Sequence, residues 1–232
     1  MKRFYENVAV AAEADGHRIL LDGRPVNSPA RRVLALPYAA LAEAVAEEWR
    51  AQGETIERSA MALTKLVSTA LDRMPDLREA AIEEVLGYGE TDLVCYRAED
   101  PATLVERQRQ SWQPWLEWLS AVHDVRLAVT ETMLHVPQPR EALDQLRRVV
   151  ERVDDWQLVG LHAATTGLGS VVLGLALLEG RISAEDAVAA SLLDELFEME
   201  TWGHEQEAER RHQQLRHDLA AAERFLACLR NS

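Results

Sequence analysis

The stretch Val8-Ala9-Val10-Ala11-Ala12-Glu13-Ala14-Asp15-Gly16-His17-Arg18-Ile19-Leu20-Leu21-Asp22-Gly23-Arg24-Pro25-Val26 decides the fold class. Val8 and Val10 alternate with small residues, and His17, Ile19 and Leu21 alternate again in the second half. A period of two is the mark of a half-buried strand. Asp15-Gly16 and Asp22-Gly23 are hairpin-type turn pairs, because Gly takes the positive φ that a tight turn demands. Pro25 and Pro29 withdraw backbone donors, so the piece beyond the second turn reads as an edge strand or a loop. Residues 4–36 are therefore predicted to be β structure.

Beyond Pro37, which suits the first turn of a helix, the period changes. Leu41, Val45 and Trp49 recur one helical turn apart, and Gly53 is expected to end that helix. Leu63, Leu66, Ala70 and Met74 keep the helical period up to Pro75, and a short helix over 77–86 is closed by Gly87 and Gly89. The run Thr91-Asp92-Leu93-Val94-Cys95-Tyr96-Arg97 reads equally as strand or extended linker. Trp112, Trp115, Leu116 and Leu119 form an aromatic stripe on one helix face, the spacing of a buried side, with Pro114 as a local kink. Residues 125–136 are expected to form a small hairpin closed by Pro137 and Pro139. Four helices are predicted over 140–153, 155–178, 183–201 and 204–229. In the second of these, Ala163, Gly167, Ser170 and Gly174 share a narrow face that would let another helix approach closely. Ser183 with Asp186 resembles a capping box. The expected fold is α+β: a small N-terminal β-rich α+β domain over 1–100, followed by a larger C-terminal orthogonal helical bundle over 101–232.

Composition narrows the function. The chain has 232 residues, 47% hydrophobic and 28% charged, a globular balance, with a formal net charge of −14. That charge argues against sequence-independent nucleic-acid binding and against docking on anionic lipid, both of which need basic patches. Leu158–Leu178 carries no formally charged side chain and has the length of a membrane span. It is broken by four glycines and several polar residues, and Asp154, Asp155 and Glu179 flank it where a span prefers Lys or Arg, so it reads as a core helix and no membrane insertion is expected. Cys95 and Cys228 lack any pairing pattern and read as free thiols in a reducing compartment. No secretory or transit segment precedes the alternating pattern, which predicts a cytoplasmic protein.

A search for chemistry finds little. Lys65 lies in a helical run without the glycines of a phosphate loop, and Gly167-Leu168-Gly169-Ser170 is too short for a dinucleotide fingerprint. His204-Glu205 begins a zinc-protease motif, but Ala208 stands where the second His belongs. Glu209-x-x-His212 is half of a di-iron motif whose other half is missing. Ser170 lacks a nucleophile elbow, and Cys95 has no partner His. No catalytic residue, cofactor or metal is predicted. Asp194 and Glu195 could still serve as a general acid/base pair.

What stands out is acidic. Between Ile182 and Glu209 there are nine acidic residues and no Lys or Arg, with Trp202-Gly203 inside the run. Glu195, Glu198, Trp202, Glu205 and Glu209 fall close to one helical face if the helix continues through Gly203. Carboxylates around a large aromatic offer a protein partner a steering field and an anchor, and an Arg- or Lys-bearing surface would suit them.

Taken together, these motifs are carried in a familiar order. Lys2-Arg3-Phe4-Tyr5; Leu21-Asp22-Gly23-Arg24-Pro25-Val26 with Pro29; Glu48-Trp49 with Gln52; Thr91–Arg97; Gln108 with Trp112, Pro114 and Trp118; Gly169-Ser170; Asp194-Glu195; and Trp202-Gly203 with Glu207-Ala208 run the length of the chain. In this order the sequence resembles the assembly chaperones for the α subunit of the F-type ATP synthase catalytic head. The resemblance implies a non-enzymatic protein, monomeric when free, that binds free α subunit and shields a surface meant for the β subunit. It departs from the family after Asp194-Glu195, where Leu196-Phe197-Glu198 replaces the usual Trp-Gln. The family's important acid after Trp-Gly falls at Glu205, Gln206 or Glu207, and at Gln206 the charge would be absent. Partner contact is expected at Asp194, Glu195, Glu198, Trp202, Gly203, Glu205, Gln206 and Glu207. The alternatives are a small-molecule enzyme using Asp194, Glu195, Glu205 and Glu207, or an adaptor for another protein.

Overall fold

Two tight turns build the sheet. In the computed structural model, which describes residues 1–131, 135–202 and 206–230 (of residues 201 and 202 the backbone only), β1 (Val8–Glu13) pairs antiparallel with β2 (Gly16–Leu21), and β2 pairs with β3 (Arg24–Pro25). Asp22 and Gly23 both adopt positive φ, 48° and 80°, the signature of a two-residue turn matched to strand twist. The Asp22 carboxylate accepts the backbone N–H groups of Asn7 and Glu6, and these bonds hold it below the usual carboxylate range. Gly16 is required for space as well: a Cβ there would stand 2.7 Å from the carbonyl oxygen of Leu36 in β4 (Ala35–Leu36). β4 pairs with the opposite end of β2, so β2 is the shared strand, and β3 is only two residues long, with Val26 N–H still donating to the Ile19 carbonyl at 2.9 Å beyond it.

The chain divides into two compact units, neither a single continuous segment. The first holds Met1–Arg78 with Asp155–Gly160 and the chain from Arg224. There α1 (Ala39–Arg50) packs on β1 and β2 through the fully buried Leu41 and Val45. It starts after Tyr38 and is capped by Ala51, so Pro37 precedes it and Gly53 lies beyond its end. The N-terminal strip is tied to this helix. Arg3 donates to the Gln52 carbonyl at 2.6 Å, and the Tyr5 hydroxyl donates to the Trp49 carbonyl at 2.6 Å. Glu48 then seeds the next helix, α2 (Ala62–Asp72). Its two carboxylate oxygens accept the N–H groups of Leu63 and Thr64 at 2.7 and 2.8 Å, filling donors that a helix N-terminus leaves open. Buried Gln52 donates to the Glu48 carbonyl and accepts from Glu57 N–H, fixing the loop between the helices.

The second unit, Glu79–Asp154 with Leu161–Glu223, is helical. α3 (Met74–Glu90) begins at Met74-Pro75 and runs through Gly87 and Gly89, which the expected helix end at Gly87 did not anticipate. In α4 (Ala102–His123) most of the predicted stripe is inside: Trp112, Leu116 and Leu119 are buried and Trp115 is half-buried, and the Trp112 indole donates to the Ala190 carbonyl at 2.8 Å. The helix continues through Pro114. After α5 (Arg140–Glu151) comes the charge-free stretch, and here the sequence-based expectation is corrected. It is two helices, α6 (Asp155–Leu168) and α7 (Val171–Leu178), broken where Gly169 takes a φ of 67° and Ser170 caps the second. The small residues therefore serve different neighbours. A Cβ on Gly167 would meet Leu219 at 2.9 Å, and one on Gly174 would meet the Thr165 hydroxyl at 2.4 Å. Every residue of α7 is buried, and no helix among the described residues is long and apolar enough to cross a membrane. α8 (Ala184–Ser191) is capped by Ser183, whose hydroxyl accepts from Asp186 N–H as the capping pattern predicted. α9 (Leu193–Trp202) and α10 (Gln206–Arg230) follow. The expected hairpin at 125–136 is absent from the described residues there. Instead Thr130 makes one parallel bridge to Tyr96, and 132–134 lie outside the description.

The break in the charge-free stretch is held by a fully buried acid. Asp92 caps the 3-10 turn Leu93–Cys95 through Val94 N–H at 3.2 Å. It also accepts the Ser170 hydroxyl at 2.6 Å and Val172 N–H at 3.1 Å, while Ser170 in turn accepts Leu173 N–H at 3.1 Å. Burial pushes the Asp92 carboxyl up to about 6, against the pull of these donors. A raised folded pKa means the native state holds the proton more tightly than the unfolded chain. Asp92's contribution to stability is then fullest below about pH 4 and declines as pH rises through about 6. Asp92→Ala strands three buried donors and should cost roughly 2–4 kcal/mol by urea unfolding, with the gap to wild type narrowing from pH 4 to pH 7. A gap that widens over that range would contradict this sign.

Candidate functional site

α9 starts after Leu192 with an acidic first turn, Asp194 and Glu195, a placement that the helix dipole favours. The structure draws both into internal contacts. The Asp194 carboxylate accepts from the Gln108 side-chain amide at 2.7 Å, and the carbonyl oxygen of that amide accepts Ala98 N–H at 2.8 Å. Gln108 is 1% exposed, so one amide ties the segment before α4 to the start of α9. Glu195 accepts from His212 Nε2 at 2.9 Å and pairs with Arg211. The His212 hydrogen bond is the main reason the Glu195 carboxyl lies below its usual range, with Arg211 adding to it. A depressed carboxyl is the opposite of what a general acid needs at neutral pH, which weighs against the acid/base use of this pair.

The other predicted residues divide by position. Glu198 is exposed one turn beyond Asp194 and makes no side-chain hydrogen bond or ion pair among the described residues. Gln206 and Glu207 are exposed in the first turn of α10. Trp202 ends α9, its side chain outside the description, and Gly203 and Glu205 lie outside the described residues altogether. Sequence reasoning passed over the cations that face this run. Arg107 of α4 pairs with Glu200 at 2.8 Å and lies 5.2 Å over the ring of Phe197, while Arg211 and the 2%-exposed His212 meet Glu195. Their signal was in the sequence: Arg107 adjoins Gln108, and Arg211-His212 falls one turn beyond Glu207-Ala208. The face of α9 is thus partly neutralised from within, leaving Glu198 on α9 and Glu207 on α10 as open carboxylates.

No group of three or more His, Cys, Asp or Glu side chains among the described residues has metal-binding geometry. Cys95 and Cys228 are free thiols pushed up by burial, so neither has thiolate character.

Comparison with known proteins bears on the whole chain. Residues 2–120 match the family described as ATP12 chaperone protein. A relative from Schizosaccharomyces pombe, the mitochondrial protein atp12, is 24% identical over 241 residues, covering 98% of this chain and 83% of its own. The crystal structure of Atp12 from Paracoccus denitrificans is 37% identical and superposes with a TM-score of 0.93 over 98% of this chain and 97% of that one. The Atu1473 protein of Agrobacterium tumefaciens is 38% identical, with a TM-score of 0.93 over 98% and 86%.

The contact between Glu195 and His212 has a measurable consequence. With its folded pKa depressed, Glu195 stabilises above the unfolded carboxylate range and loses that contribution as pH falls through its folded value. The side chain is 45% exposed, so solvent screening limits the effect. Glu195→Gln is expected to cost no more than about 1 kcal/mol at pH 7 in thermal melts, with the difference from wild type shrinking as pH falls through the acid range. An undiminished difference at acid pH would mean that packing, not charge, sets the role of Glu195.

Proposed function

Because the chain belongs to the ATP12 chaperone family, we propose that it is an assembly chaperone for the F-type ATP synthase catalytic head, binding free α subunit and shielding its interface until β subunit takes its place. The reading is carried by the likeness to Paracoccus Atp12, which extends over 98% of this chain. An unassembled subunit of an oligomer exposes apolar interface that self-associates. A binder need only outcompete that self-association and lose to the true partner.

The partner surface is proposed at the passage from α9 to α10: Asp194, Glu195, Glu198, Trp202, Gly203, Glu205, Gln206 and Glu207. Within it the residues have different parts. Asp194 and Glu195 are engaged internally and shape the surface. Glu198 and Glu207 are exposed carboxylates suited to Arg or Lys of the α subunit. The aromatic ring of Trp202 supplies an anchor in this scheme. The proposed setting is cytoplasmic, and the free protein is proposed to be a monomer.

Size-exclusion chromatography with light scattering, on the purified chain mixed with its own organism's α subunit, tests the reading. A one-to-one complex that disperses on addition of β subunit is expected. Glu198→Lys with Glu207→Lys should weaken it roughly ten-fold, about 1.4 kcal/mol, whereas Glu13→Lys on the sheet should not. Aggregation of the α subunit at an unchanged rate, with no complex, would overturn the proposal.

A further inference from the structure

The first unit carries a surface of the opposite polarity, built from none of the residues expected to bind a partner. A groove of about 720 Å³ opens between the loop at residues 27–30 and the outer face of α2. Its floor is apolar: half-buried Trp49 with buried Ile56 and Met61. Its rim is cationic. Arg58, Lys65 and Arg73 are all exposed, and none makes a side-chain hydrogen bond or ion pair among the described residues. Lys65 is one of two lysines in a chain of net charge −14. The one acid in the lining, Asp72, is committed to the loop, accepting the Ser28 hydroxyl at 2.6 Å and Ala30 N–H at 3.0 Å. The hydroxyls of Ser68 and Thr69 turn back onto helix carbonyls and do not bridge the cations.

We propose that this groove docks an extended, acidic segment of a protein partner, with one bulky apolar side chain seated on Trp49, Ile56 and Met61 and carboxylates on either side of it. An apolar floor inside a cationic rim suits an acidic segment with one apolar side chain. Lys65 on α2 and Arg73, just past its end, are eight residues apart, about 12 Å by helical rise, and Arg58 lies before the helix, so the positive charge is spread over a length that several residues of extended chain would span. The volume falls within the range of side-chain and ligand pockets, roughly 300–1,000 Å³. The overall negative charge of the chain does not forbid an acidic guest, because beyond about 8 Å salt screens the distant carboxylates while the rim cations act at contact. The groove and the α9 carboxylates would then read opposite charges on their partners.

Fluorescence anisotropy with the full chain and a panel of short labelled peptides tests the proposal without using the α subunit, so it can fail while the chaperone reading stands. Each peptide carries a central Phe, Leu or Trp flanked by Asp and Glu, with matched sets flanked by Lys or lacking the apolar residue. The acidic, apolar-centred peptides are expected to bind roughly ten-fold or more tightly than either matched set. Lys65→Glu with Arg73→Glu should remove about the same factor while leaving the circular dichroism melt unchanged, and Glu198→Lys should leave peptide binding intact. Four results would overturn the proposal: no preference across the whole panel, binding indifferent to the double variant, complete displacement by millimolar inorganic phosphate, which would mark a small-anion site, or displacement by phosphatidylserine vesicles, which would mark a membrane contact.

Discussion

A carboxylate without solvent contact holds the helical unit in register. Asp92 sits at the N-terminus of α7, where four backbone N–H groups lack intrahelical partners and the helix dipole is positive. It binds that end twice, directly through Val172 and through the Ser170 hydroxyl, while its third bond folds the 3-10 turn that carries Cys95 into the interior. From this turn the Cys95 carbonyl accepts Thr130 N–H, and the Thr130 carbonyl accepts Arg97 N–H. One buried acid thus positions the break between α6 and α7, the wholly buried α7, and the strip between α3 and α4. Its cost in desolvation, visible in its raised pKa, is offset by bonds that no apolar residue could make.

The same logic explains why the resemblance was legible from scattered residues. Glu48, Gln52, Asp92, Gln108, Trp112 and Ser170 had no motif chemistry, yet each ties one piece of chain to another, Gln52 within its own loop and the others over longer separations: a helix cap, a loop anchor, or a donor to a backbone carbonyl. A buried polar group admits few replacements, because its partners stand at fixed places in the fold. The hairpins and the α4 stripe were legible for a different reason, because period and turn chemistry are local. The break at Gly169-Ser170 was not. Periodicity treats Leu158–Leu178 as one helix, and only the pairing of Ser170 with an acid 78 residues away makes the interruption favourable. Gly87 and Gly89 misled in the opposite direction, since α3 runs through both.

The candidate surface was legible in its charge but not in its pairing. Nine acids in one run mark an acidic region, yet Asp194, Glu195 and Glu200 find Gln108, His212 with Arg211, and Arg107. Those partners come from α4 and α10, and no pattern within α9 indicates them. What remains outward is a thinner set of carboxylates than the sequence suggests. Such thinning matters for a binder, because exposed carboxylates contribute steering and modest contact energy, whereas a desolvated pair is hard to release.

On the proposed reading, release is part of the function, and weak, divided contacts would serve it better than one deep anchor. A chaperone that buried its client on a large apolar face would compete too well with the subunit meant to replace it. Taken with the docking proposed at the cationic groove, open carboxylates at α9 and α10 would divide recognition between two modest surfaces of opposite sign. When two contacts lie on one chain and can be engaged together, each raises the effective concentration of the other, so such a pair would hold a client that neither holds alone. Displacing either then weakens both. An incoming subunit need only cover one of the two surfaces to make the remaining contact insufficient, and no chemical step is needed to turn the chaperone loose.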